Sequence, residues 1–146
     1  MTCLAFSRFL VAVPLLILAL LLAAPAQASA IDEAQAAQKA ALAWLELVDR
    51  GDYKASWHES GAFFQGAMAA EKWSELIGGV RKPLGKVLTR EFSSAQVRQT
   101  MPGAPDGKYF LLLFKTSFAK KKSAEERVTL IHEPKRGWRV VGYFIK

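Results

Sequence analysis

Between the turn Pro105-Asp106-Gly107 and the basic run Lys120-Lys121-Lys122 lies the stretch that most constrains this fold. From Lys108 to Ala119 it reads K-Y-F-L-L-L-F-K-T-S-F-A. It is apolar, rich in aromatics, bounded by turn formers and too short to span a membrane, which predicts a central β-strand. Strand side chains alternate between faces. One face then carries Phe110, Leu112, Phe114, Thr116 and Phe118, the other Tyr109, Leu111, Leu113, Lys115 and Ser117. The first set is bulkier and greasier, so it is the face expected to look into the core.

The start of the chain reads as an address. Arg8 supplies a weakly positive beginning, Phe9 to Leu22 is an apolar run broken only by Pro14, and small residues follow to Ala30. Ala26-Gln27-Ala28 and Ala28-Ser29-Ala30 both fit the small-x-small pattern for removal by signal peptidase. We therefore expect a signal peptide over residues 1–30, cleaved after Ala28 or Ala30, and delivery to the periplasm or the medium. The alternative, an uncleaved anchor, is disfavoured because the apolar core is shorter than the ~20 residues of a spanning helix. The single cysteine, Cys3, precedes the apolar run. The mature chain then has no cysteine, and its stability must come from its core.

Residues 31–146 suit a single domain. Lys and Arg number 20 against 13 Asp and Glu, and losing Arg8 leaves 19 against 13, a net charge of +6. The excess gathers at Arg81, Lys82, Lys86 and Arg90, at Lys120 to Lys122, and at Lys135, Arg136 and Arg139. An exported protein meets anionic envelope components rather than nucleic acid. Basic residues also keep a protein soluble, which is the plainer account. The expected partners are an unknown small molecule, an anionic envelope component or an envelope protein.

Ile31 to Asp49 is expected to be helical, with Ala37, Ala41, Trp44, Leu45 and Val48 as its apolar stripe. Gly51 is placed to end it and Asp52 to cap a second helix, Tyr53 to Glu59. Gly61 to Gly66 reads as a loop holding Phe63 and Phe64. A third helix is expected from Ala69 to Val80, with Trp73, Leu76, Ile77 and Val80 on one stripe and Pro83 stopping it. The period then becomes alternating. Strands are expected at Lys86–Ser93, at Ala95–Met101 more weakly, at the central stretch, at Glu125–Glu133 and at Trp138–Ile145, where Trp138, Val140 and Phe144 share one side and Val141, Tyr143 and Ile145 the other. Helices first and strands after, joined by tight turns, imply an α+β fold with N-terminal helices packed on a curved antiparallel sheet of four to five strands.

Several residues in order carry a resemblance: Trp44-Leu45, Asp49-x-Gly51-x-Tyr53-x-x-Ser56-Trp57, Trp73, Arg81-x-Pro83-Leu84-Gly85, Arg90, Pro102-Gly103-x-Pro105-Asp106-Gly107-x-Tyr109, Phe118, Glu126-x-Val128-Thr129 and Trp138-Arg139-Val140-x-Gly142-Tyr143. With these the chain resembles the exported bacterial family called domain of unknown function 4019, over the whole mature length. The resemblance implies an NTF2-like or cystatin-like layout and lends no catalytic residues. Fold analogy does not establish function.

The chemistry is sparse. No G-x-S-x-G, H-E-x-x-H or phosphate-binding glycine loop is present, and two histidines offer little to a transition metal. No cofactor is expected. An enzyme of the NTF2-like kind would need a pocket carboxylate, Asp52 or Glu126, beside a donor, Tyr109 or His58. Against this, Asp52 is placed to cap a helix, Glu126 suits a solvated strand position or a salt bridge, and His58 and His132 suit the surface. The expected function is thus a non-catalytic exported binding or accessory domain. The alternatives are that enzyme or a structural interaction module. Trp57, Arg81, Arg90, Tyr109 and Trp138 are the candidate ligand-binding residues. Arg81 ends a helix and Arg90 lies mid-strand among apolar neighbours, so each either holds a carboxylate or receives an anion. We expect Arg81 to tie the third helix to the start of the sheet.

Overall fold

The computed structural model describes the backbone from Ala24 to Lys146 and the side chains from Ser29. Up to residue 23 the expected leader lies outside the described residues. The first helix, α1 (Ala24–Asp49), starts earlier than Ile31. Its added segment is alanine-rich, and Pro25 falls in the first turn, where a missing N–H costs nothing. Both expected cleavage points fall within that added segment or at its end. Among the described residues no helix is long and apolar enough to cross a membrane.

Gly51 ends α1 at φ +79°. Its N–H bonds Val48 O at 3.0 Å while Asp52 N–H bonds Leu47 O at 2.9 Å, the paired closure of a Schellman turn. Asp52 then accepts from Ala55 N–H at 3.2 Å and caps α2 (Tyr53–Glu59). The expected loop over Phe63 and Phe64 is instead a short helix, α3 (Ala62–Ala67). Two side chains make it possible. Glu133, from the far end of the sheet, accepts from Ala62 N–H at 2.7 Å. Gln65 donates to the carbonyls of Trp57 and His58 at 2.9 Å. Both bonds satisfy helix-end groups that would otherwise be orphaned. The helix α4 (Ala70–Arg81) follows, and a single 3₁₀ turn, Lys82–Leu84, leads into the sheet.

The sheet is antiparallel, in the order β1-β2-β3-β4, from β1 (Val87–Arg98), β2 (Tyr109–Phe118), β3 (Lys121–Glu133) and β4 (Gly137–Ile145). The two strands expected before the central one are a single strand, β1. A bulge between Phe92 and Ser94 interrupts it, and mimicked a break in the alternation. A second bulge, between Thr129 and Leu130 on β3, leaves Val141 as the extra residue on β4. It reverses the faces expected beyond Val140. Phe144 is exposed, and Tyr143 packs against the core instead.

The helices cover the inner face of β2, β3 and β4. Phe110, Leu112, Phe114, Val128, Leu130 and Val140 meet Ala37, Ala41, Trp44, Leu45 and Val48 of α1 in one buried cluster. Each large side chain there stabilises the fold by about 1.5–3 kcal/mol. Three tryptophans fasten the helices: Trp44 Nε1 donates to Ser56 O at 2.8 Å, Trp73 Nε1 to Ser56 Oγ at 2.9 Å, and Trp57 Nε1 to Met68 O at 2.6 Å. The buried Ser56 hydroxyl, which accepts from Trp73, also donates to Tyr53 O at 2.8 Å and so carries no penalty.

Candidate functional site

At one end of the inner face the apolar surface gives way to charge. Alternation along β1, β2 and β3 puts Arg90, Thr116 and Glu126 on that face. Asp49 arrives as the last residue of α1, Arg81 as the last of α4, and Tyr143 from β4 after its bulge. Glu126 is 0% exposed and Arg81 5%.

Arg90 is the hub. Its Nε and Nη2 reach Glu126 Oε2 and Oε1 at 2.6 and 3.2 Å, and its Nη1 and Nη2 reach Asp49 Oδ2 and Oδ1 at 2.7 and 3.0 Å. One guanidinium thus holds two carboxylates, each by two bonds, a geometry lysine does not offer. Arg81 donates to Asp49 Oδ1 at 2.8 Å, to Glu126 Oε1 at 3.4 Å and to the Tyr143 hydroxyl at 3.2 Å. Its guanidinium carbon lies 4.7 Å from the centre of the Phe118 ring. Glu126 also accepts from Thr116 Oγ1 at 2.5 Å and from the Tyr143 hydroxyl. Two cations and two anions compensate each other, and of the described buried side-chain polar atoms only Arg81 Nε has no partner.

The electrostatics follow. Burial alone would lower the Arg90 pKa, but its bonds to Asp49 and Glu126 outweigh that and raise it. Arg81 behaves likewise, with burial opposed first by Tyr143 and then by Asp49. Burial, reinforced by the charge of Glu126, pushes the Tyr143 phenol well up. The pairs of like sign stay together because each lies between opposite charges.

A second feature is an apolar cleft of about 250 Å³ between α1 and β4. Trp44, Trp138 and Val140 line it, Ala40 and Ala43 leave it open on the helix side, and Glu59 and Arg139 stand at its edge. Those two form an ion pair at 2.6 Å. Trp138 is held in place by the edge of Phe110, their ring centres 4.9 Å apart.

Of the five candidate ligand-binding residues, the fold brings Arg81 and Arg90 together. Trp138 lines the cleft, Trp57 bridges to the end of α3, and Tyr109 is buried on the outer side of the sheet with its hydroxyl donating to Pro105 O. Glu126, one of the two carboxylates considered for catalysis, is fully buried rather than solvated and forms the salt bridge weighed as the other option. Asp52 caps α2 and His58 is exposed, while Tyr109 lies on the opposite face from Glu126. Asp49, Thr116 and Tyr143 were missed as partners. The parity of Glu126, Val128 and Leu130 on β3 was the available signal that a carboxylate faces inward. Among the described residues no three His, Cys, Asp or Glu side chains gather as a metal set.

Fold and site define a small α+β domain, helices on one face of an open antiparallel sheet, closed at one end by a partly buried ion network. The match to the model of a family described as a protein of unknown function (DUF4019) spans residues 40–143, and the chain belongs to that family. A solved structure from Catenulispora acidiphila is similar in fold, at 12% identity and a TM-score of 0.51, over 83% of this chain and 93% of that one. No curated protein matches the chain.

Proposed function

We propose that this chain is a non-catalytic exported binding domain, and that its ligand is a small, largely apolar or aromatic molecule taken in the α1–β4 cleft. The carrying observation is the cleft itself: an apolar concavity with two tryptophan rings and one ion pair at its edge. Small-molecule sites are concave and mostly apolar, with a few polar groups that fix orientation. At about 250 Å³ it suits a ligand of one or two rings. The carboxylates support the non-catalytic half of the reading. Asp49 and Glu126 are each engaged by both arginines, so neither is a free base. With a leader over residues 1–30, the domain works in the periplasm or outside the cell.

The test fills the cleft. Ala43 is exposed on α1 at its edge, so Ala43→Trp closes the space without disturbing the core. Naphthalene-sulfonate dyes and indole serve as probes. Saturable binding to the wild type, weakened tenfold or more in Ala43→Trp at an unchanged melting temperature, is the expected result. Equal binding by both proteins removes the cleft from consideration. Turnover of any substrate that is abolished by Glu126→Gln in a still-folded protein would replace the proposal with an enzyme.

A further inference from the structure

Strand β1 is unlike the other three. From Glu91 to Arg98 every residue is exposed, and on the inner face Phe92 and Val97 are 44% and 50% exposed. The helices stop short of it, and it is one of the two edges of the sheet. Between Val87 and Arg98 it contains neither lysine nor proline, two of the usual residues that discourage edge pairing. A long strand with an open edge and an apolar face is a template for another strand.

The sequence of β1 fits a second copy of itself. In an antiparallel two-fold pairing that sets Glu91 opposite Arg98, Phe92 falls opposite Val97. The bulge makes this work. Glu91 pairs with Lys115 and Arg98 with Tyr109 on β2, so both lie on the outer face, while Phe92 pairs with Phe114 and Val97 with Phe110, so both lie on the inner face. Without the extra residue between Phe92 and Ser94, each of these pairs would straddle the sheet. Two-fold symmetry repeats each contact, giving two opposite-charge pairs and two apolar pairs that flank the bulged centre.

We propose that β1 is a homodimer interface, joining two sheets edge to edge through the pairs Glu91–Arg98 and Phe92–Val97. The experiment is sedimentation equilibrium on the purified chain over a wide concentration range, with Glu91→Arg and Arg98→Glu run singly and mixed, and near-ultraviolet circular dichroism as the folding control. The wild type should be a dimer at high concentration. Each single variant sets like charges opposite each other twice and should dissociate at least about tenfold more readily. An equimolar mixture of the two restores both opposite-charge pairs and should recover the dimer. Val97→Lys, which places a charge on the apolar contact, should be monomeric while folded. A wild type that is monomeric throughout overturns the proposal. So does a dimer that both single variants leave intact, or a mixture that fails to recover it; those results would assign the edge to a foreign strand or the dimer to another face.

Discussion

The two ends of the inner face are built on opposite principles. At one end Leu112, Val128, Leu130 and Val140 sit under α1, all buried and all without a polar side-chain atom. At the other, Arg81, Arg90, Asp49, Glu126, Thr116 and Tyr143 occupy equivalent places with charge. The apolar end is stabilised roughly in proportion to area removed from water, at about 25 cal/mol per Å². It depends on volume more than on the identity of any one residue. The charged end depends on each partner being present. Arg81, Arg90 and Glu126 have largely left water there, with Asp49 part-exposed at the rim, and the desolvation cost is offset only while the four remain bonded. A fully buried apolar region that tolerates exchange thus lies beside a partly buried charged one that does not.

Glu126→Leu should do the most damage. It leaves Arg81 and Arg90 sharing Asp49 alone, and losing one partner of a buried pair costs about 3–5 kcal/mol. Urea unfolding should read this as a large fall in the midpoint, if the variant folds at all. At the apolar end Leu112→Ala should cost about 2–5 kcal/mol through the cavity it leaves, whereas Leu112→Met should cost under about 1.5 kcal/mol. If Leu112→Met proves as harmful as Glu126→Leu, the contrast between the ends is wrong.

The conservative exchange at the charged end is the sharper probe. Arg81→Lys keeps the charge and loses the planar fork, so it should cost about 1 kcal/mol and lower the melting temperature by a few degrees. Unchanged melting would mean that Arg81 does not hold the helix end to the sheet. The smallest effect concerns alkali. Because folding raises the Tyr143 pKa above that of the unfolded chain, its contribution is fully present below about pH 10 and is lost as pH rises further. Melting temperature should therefore fall above about pH 10, and less steeply in Tyr143→Phe. Tyr109, raised by burial and the charge of Asp106, contributes to the slope that remains.

Most of the fold was legible because its signals are local. The alternation of Phe110, Leu112, Phe114, Thr116 and Phe118 named the core face, and all five are buried. Gly51 and Asp52 marked a helix end and a helix start within two residues. What escaped depends on distant partners or on one extra residue. The cap that starts α3 comes from Glu133, far along the chain. The inward turn of Tyr143 depends on a bulge, and a one-residue slip changes the face of everything beyond it. Arg81 stood out at a helix end before Pro83, and Arg90 as a charge mid-strand among apolar neighbours. Asp49 did not, since an acidic residue at the end of an amphipathic helix looks like solvated surface.

The ion network also bears on how the domain comes apart. Its members sit on the ends of α1 and α4 and on all four strands, and its side-chain bonds span separations from 10 to 62 residues. Neither α1, α4 nor a hairpin of the sheet can leave alone without breaking into that network. Intermediates that keep the sheet and shed the helices are thereby raised in energy, and unfolding is pushed toward a single all-or-none step. Amide hydrogens near the ends of α1 and α4 should then exchange with the same free energy as those in β2 and β3, where helix ends elsewhere would be expected to fray first.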